Sequence, residues 1–185
     1  MAVTIRIASV HDAQAVNEIY DHYIEHTVAT FNEAKKTVEQ RANEIESILC
    51  DYPFLIAEDE NGAFLGFACA EPYRPQTGYR YTAELTIYLH PESPKGTGIG
   101  SALYGKLLTI LAQQGYCTAL GVLYGGNQES LHLHEKFGFE DVLLLPNAAY
   151  KHGQWLSMRI MKKTLRPYDE HPSLPIPFCE YRKRL

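Results

Sequence analysis

Three glycines, Gly96, Gly98 and Gly100, crowd the stretch PKGTGIGSAL (Pro94–Leu103), after which the chain turns apolar and helix-prone. Glycine admits positive φ and lets a ligand approach the backbone closely. The first turn of a helix leaves its N–H groups without partners. A strand, a glycine loop and a helix in that order therefore make an anion site, well suited to a pyrophosphate. The same spacing also serves a tight strand-to-helix turn with no ligand. A nucleotide P-loop needs GxxxxGK[ST], and the Lys-Ser/Thr is missing here. A dinucleotide fingerprint needs GxGxxG near the first strand and an acidic residue roughly 20 positions on. Gly96-Thr97-Gly98-Ile99-Gly100 has another spacing and falls mid-chain. What remains is a different pyrophosphate carrier, such as coenzyme A. Glu84 is a second chemical signal. It sits inside the otherwise apolar YTAELTIYLH, on the same face as Thr86 and Tyr88, and a carboxylate there is costly unless it is paired or used. A salt bridge to Arg74 or Arg80 is the plain structural account. His132 and His134 point to different faces of a helix, so they are no metal pair, and nothing else suggests a metal.

The elements that must hold these groups follow from periodicity and end signals. Val3–Ala8 alternates as a strand, and His11 to about Glu25 has helical spacing. Thr37 and Gln40 fit a capping box, which predicts a helix running to about Cys50. Phe54–Glu58 and Ala63–Ala70 read as a hairpin joined through Asn61-Gly62. Glu71–Tyr79 is a loop, and Tyr81–His90 a longer strand. Ser101–Gln114 is a helix with Leu103, Leu107, Leu108 and Leu111 on one face and Gly115 as its stop. Cys117–Tyr124 is a strand. Asn127 suits the N-cap of a helix over Gln128–Phe137, and Phe139–Leu145 and Trp155–Met161 form a last pair of strands. The order β-α-α-β-β-β-α-β-α-β-β predicts an α/β (α+β) fold with a mixed sheet covered on both faces. Residues 1–165 read as one domain. Residues 166–185 form a proline-rich extension, either an arm that docks on the body or a disordered appendage.

A chain of 185 residues can bury a real core. Its net charge of −5 argues against a nucleic acid or an anionic membrane as the main partner. The N-terminus does not read as a signal peptide, and no apolar stretch approaches the roughly 18 residues of a membrane span. The four cysteines, Cys50, Cys69, Cys117 and Cys179, are widely spaced without a CxxC. They read as free thiols in a reducing cytoplasm.

The glycine loop, its place after a long fourth strand, and Asn127…Ser130…His134…Gly138-Phe139 together resemble the GCN5-related N-acetyltransferases (GNAT). In that family a Gln/Arg-x-x-Gly-x-Gly/Ala loop holds the pyrophosphate of acetyl-CoA. Lys95 stands where Gln or Arg is usual and keeps a positive donor. The phosphinothricin and methionine sulfoximine acetyltransferase branch is a closer match. Thr27–Asn32 (TVATFN), Pro72–Glu84 (PYRPQTGYRYTAE), Ser130–Phe139 (SLHLHEKFGF) and Tyr150–Trp155 (YKHGQW) carry it, within a resemblance covering about residues 4–163.

The resemblance implies a splayed fourth and fifth strand with a pantetheine arm between them, paired to the backbone of Ile87, Tyr88 and Leu89. Lys95, Gly96, Thr97, Gly98, Ile99, Gly100 and Ser101 would hold the pyrophosphate. Asn127 would bond the pantetheine region with help from Ser130, although Asn127 also reads as an ordinary helix cap. An acceptor α-amine has a pKa of about 8 or higher and must lose a proton before it attacks. Glu84 matches the branch's general base. A backbone N–H near Leu89 would stabilise the oxyanion. His134 falls where many members carry a proton-donating tyrosine. It reads either as that acid or as a packing and hydrogen-bonding residue. Phe31, Arg74, Tyr79, Tyr81, Glu84 and the Lys151–Trp155 loop would line the acceptor pocket, with Arg74 gripping an α-carboxylate. Gln76 replaces a second arginine common in the branch, which weighs against phosphinothricin itself. The expected activity is direct acetyl transfer from acetyl-CoA to a small amino-acid-like acceptor in a cytoplasmic homodimer, and no cysteine sits where a covalent acetyl-enzyme would need it. The rival readings are another amine acceptor (polyamine, aminoglycoside or protein N-terminus) and a non-catalytic acyl-CoA-binding module.

Overall fold

The computed structural model describes residues 2–184. In chain order the elements are β1 (Thr4–Ile7), α1 (Ala13–His26), α2 (Val38–Asp51), β2 (Phe54–Glu58), β3 (Phe64–Pro72), β4 (Thr82–Leu89), α3 (Ile99–Gln114), β5 (Thr118–Tyr124), α4 (Gln128–Lys136), β6 (Glu140–Lys151), β7 (Gln154–Thr164) and α5 (Phe178–Tyr181). The strands form one sheet in the order β1-β2-β3-β4-β5-β7-β6. All neighbours are antiparallel except β4 and β5, which run parallel. Helices α1 and α2 cover one face, where Tyr20 packs on Phe67 and Tyr88. The buried Leu103, Tyr104, Leu107 and Leu111 of α3 fill the other. Among the described residues no helix is long and apolar enough to cross a membrane.

Local chemistry fixes the elements that frame the central strands. Thr37 Oγ accepts from Gln40 N–H at 3.1 Å, and Thr37 N–H donates to Gln40 Oε1 at 2.9 Å. That is the expected capping box, worth about 1 kcal/mol. Helix α3 begins at Gly98 (φ +84°) and ends at Gly115 (φ +106°), both in the left-handed region. It starts two residues earlier than its leucine pattern suggested, because the glycine loop itself supplies the first turn.

Strand β6 runs on to Lys151, past Leu145, where the pattern of apolar residues ends. Pro146 and Asn147 (φ +51°) make an irregularity between Leu145 and Ala149, after which pairing with β7 resumes. His152 and Gly153, at φ +50° and +76°, then close a two-residue hairpin turn whose twist suits the strands on either side.

The C-terminal arm docks on the body. Ile176 N–H donates to Gln114 O at 2.7 Å, and Gln114 Nε2 donates to both Asp51 O and Ile176 O. Phe178 is fully buried. All four cysteines are free, and Cys69 and Cys117 are buried.

Candidate active site

The parallel pair β4–β5 is joined only from Thr82↔Thr118 to Leu85↔Gly121. Beyond that point β4 stays with β3 as far as Leu89, and β5 stays with β7 as far as Tyr124. The strands diverge into a V whose apex lies at Leu85; Glu84 sits one residue back in the joined stretch and does not line the cavity. A cavity of about 370 Å³ fills the V, lined by Tyr23, Thr27, Val28, Ala29, residues 85–89, Gly100, residues 121–124, Asn127, Glu129, Ser130, Leu133 and His134.

The backbone facing this gap is specified by the sheet. His90 N–H bonds Leu65 O at 2.8 Å. Alternation along an antiparallel ladder then turns the peptide groups of Tyr88 toward β3 and those of Ile87 and Leu89 toward the gap. Tyr23 Oη donates to Leu89 O at 3.1 Å, consistent with that direction. An extended ligand in the gap therefore meets the N–H and C=O of Ile87 and the N–H of Leu89. Tyr88, expected to take part, contributes its ring to the Tyr20–Tyr23 cluster instead.

At the open end of the V, the N–H groups of Ile99, Gly100 and Ser101 precede the first intrahelical bond of α3, from Ala102 N to Gly98 O at 2.9 Å. They are free donors at the positive end of a 16-residue helix. Gly96 (φ +73°) and Gly98 turn the chain into α3, and the space beside both is open. Thr97 Oγ donates to Pro94 O at 2.8 Å and braces the loop. Lys95 lies 3.2 Å from Glu129, a pair so exposed that it binds weakly and can yield to a stronger anion. Lys136, missed in the sequence, donates to Ser101 Oγ at 2.8 Å and brings a second ammonium to the first turn. Only its three-dimensional placement at the end of α4 marks it out.

Asn127 caps α4, its Oδ1 accepting from Ser130 N–H at 3.1 Å, and both residues line the cavity. The side chain of His134 is buried in the cavity wall. Its Nδ1 lies 2.7 Å from the carbonyl of Ser130, so Nδ1 carries the proton and donates it there. Nε2 then accepts from the buried hydroxyl of Tyr104 at 2.7 Å. Burial pushes the His134 pKa down, against the smaller upward pull of the Ser130 carbonyl. A neutral imidazole with both nitrogens engaged is poorly placed as a proton donor, so the geometry goes against the acid reading and fits the hydrogen-bonding one. His132 is exposed on another face of α4.

Glu84 is half-buried and makes no ion pair with Arg74 or Arg80. Burial first, and the Glu71 carboxylate second, push its pKa up, while Arg74 pulls it down. Arg74 is exposed and sits over the Tyr73 ring at 5.2 Å. Tyr79 is exposed and meets Tyr73 edge-on. Phe31 is half-buried in the α1–α2 connection.

Two expected acceptor residues are committed elsewhere. Tyr81 Oη donates to Pro172 O in the C-terminal arm at 3.0 Å. Lys151 is buried, with its Nζ donating to Thr30 O at 2.9 Å, and so pins the β6–β7 turn against the α1–α2 connection. Tyr23 and Tyr124 line the cavity unannounced; in a chain with 13 tyrosines nothing in the spacing separated them from core residues.

Residues 16–139 match the acetyltransferase (GNAT) family. The chain belongs to that family. Among its relatives, an L-methionine sulfoximine/L-methionine sulfone acetyltransferase of Salmonella typhimurium is 34% identical over 170 residues, 91% of this chain and 96% of the relative. A phosphinothricin N-acetyltransferase of Streptomyces viridochromogenes is 33% identical over 94% of each chain. A crystal structure of a GNAT superfamily phosphinothricin acetyltransferase from Sinorhizobium meliloti in complex with AcCoA superimposes with a TM-score of 0.85, at 34% identity and 89% coverage of each chain.

Proposed function

We infer that this protein is an acetyl-CoA-dependent N-acetyltransferase acting on the amino group of small amino-acid-like acceptors of the methionine sulfoximine or sulfone type. The observation that carries this reading is the V between β4 and β5, which opens one residue past the Glu84 carboxylate and ends at the bare amides of α3. Acetyl-CoA supplies the acyl group as a thioester. The amides of Ile99, Gly100 and Ser101, with Lys95 and Lys136, hold its diphosphate. The peptide groups of Ile87 and Leu89, with Asn127, hold its arm. The N–H of Leu89 is the donor best placed for negative charge on the acyl oxygen.

Glu84 takes the proton from the acceptor ammonium. Its raised pKa brings it nearer the working range of a general base. Arg74, on the loop beside it, meets the acceptor's carboxylate. His134 is a wall residue in this reading, and the departing thiol, of cysteine-like pKa about 8.5, takes its proton from solvent. Gln76 leaves Arg74 as the one arginine expected on an acidic acceptor. Thiol release measured across methionine sulfone, methionine sulfoximine, phosphinothricin, a polyamine and an aminoglycoside tests this. The first two should exceed the rest, and preferred turnover of a polyamine would overturn the assignment.

The same reading extends to a homodimer in a cytoplasmic setting, which suits the free cysteines. Strand β6 lies at the sheet edge with Val142, Leu143, Leu144 and Leu145 exposed, and Trp155 is 64% exposed on the adjoining strand. An uncovered apolar edge strand is a liability that a second copy removes. Light scattering should give twice the chain mass for the wild type and a single chain mass for Leu144→Asp. A monomeric wild type would refute the pairing.

A further inference from the structure

Glu71 and Glu84 are directly opposite one another on the antiparallel pair β3–β4, in a region where neither strand is bulged. Opposite residues share a face, with Cβ atoms about 5 Å apart. Like charges in such a pair repel, and a chain with no use for both would gain by losing one. The surroundings relieve the repulsion only in part, with Lys36 and Arg41 drawing on Glu71 and Arg74 on Glu84. From α2, Arg41 bonds Glu44, and Lys36 from the preceding loop bonds Glu44 as well, so both cations are held by a third carboxylate. Arg74, from the β3–β4 loop, lies over Tyr73. On the β5 side the residue level with Glu84 is Leu120, and the next one out is Lys162 of β7, a full strand further away. Next to Glu71 along its own face is Cys69, and next to Glu84 are Thr82 and Thr86. Among the described residues neither the Glu71 nor the Glu84 carboxylate has a hydrogen-bonded or ion-paired partner.

We propose that Glu71 is a second carboxylate of the acceptor site, a positioning residue that forms with Glu84 a two-carboxylate seat for the acceptor's ammonium. This rests on the reading of Glu84 as the base. The pair does two things that a lone carboxylate does not. It draws the amine in as its cation, the predominant form near neutral pH, and holds the N–H bonds toward Glu84. It also raises the proton affinity of Glu84, so that the proton passes from nitrogen to the Glu84 oxygen with less of an uphill step. The N–H bond breaks, its electron pair stays on nitrogen, and the proton leaves later to solvent. Burial and the Glu44 charge raise the pKa of Glu71, and burial and Glu71 raise that of Glu84.

The test is the pH profile of kcat/KM for the wild type, Glu71→Gln, Glu71→Asp and Glu84→Gln, with methionine sulfone as acceptor. Glu71→Gln should move the acidic limb down by about 0.5–2 pH units, the interaction of two charges a few ångströms apart at intermediate dielectric. It should raise KM for the acceptor about 3–10-fold, by loss of one charge partner, and leave KM for acetyl-CoA unchanged. Glu71→Asp should restore most of both. A profile for Glu71→Gln that superimposes on the wild type, while Glu84→Gln is inactive, overturns the role of Glu71 and leaves the base in place. Wild-type turnover by Glu84→Gln removes the base and this proposal together. Thermal melts give a readout free of activity. The raised carboxyl pKa values mean stability present at low pH and lost as pH rises through them. Glu71→Gln should therefore melt higher than wild type at pH 8, with the gap closing toward pH 4. A lower melting point at pH 8 would show that Glu71 is held by a structural partner, contradicting the seat.

Discussion

Adding one methyl group at Gly121 should disrupt the wall of the cofactor gap. A Cβ built there falls 2.1 Å from His134 Nε2 and 2.5 Å from Cδ2 of the same ring. The ring has little room to retreat, because Ser130 O holds one nitrogen, Tyr104 Oη holds the other, and Phe139 packs edge-on against it at 4.9 Å. Overpacking of this kind costs about 1–3 kcal/mol. Expelling the imidazole also leaves the Tyr104 hydroxyl buried without a partner, for about 1–3 kcal/mol more. The total, about 2–6 kcal/mol, corresponds to a fall in melting temperature of about 4–24 °C for a chain of this size. Gly121→Ala measured by thermal unfolding tests the number. The same substitution made in a His134→Ala background should cost less than about 1 kcal/mol, since the clash is gone. A single variant melting within about 2 °C of wild type, or an equal penalty in both backgrounds, would refute the packing argument.

Gly98→Ala meets no neighbour, yet its φ of +84° costs a side chain about 1–2 kcal/mol. Isothermal titration should find acetyl-CoA binding weakened about tenfold while the fold persists. Phe178→Ala in the docked arm should destabilise the protein by about 3–5 kcal/mol, read from urea unfolding, because the ring is fully buried. Acetyl-CoA affinity should also fall with added salt, since the contacts proposed for Lys95 and Lys136 with the diphosphate are exposed; titrations at low and high ionic strength would read this.

The order of elements was legible because each carries its own end signal: Thr37 and Gln40 for α2, Gly115 for α3 and Asn127 for α4. The extension of β6 was not, since Pro146 and Asn147 look like a stop and only cross-strand pairing with β7 carries the strand past them. Features borne on backbone geometry, such as the left-handed Gly98, could be read from residue type alone. Those defined by contacts across the fold could not. Tyr81 and Lys151 have the composition of a pocket but spend their polar atoms on Pro172 and Thr30. Glu71 lies 13 positions from Glu84, and only the register of β3 on β4 brings the two carboxylates together.

Thiol release from acetyl-CoA by Glu84→Gln, with methionine sulfone at saturation and near neutral pH, is the most direct test of the whole account. Turnover should drop by about 10²–10⁴-fold, with acetyl-CoA still bound at wild-type affinity. Turnover equal to wild type would contradict the claim that the carboxylate beside the apex of the gap performs the proton transfer.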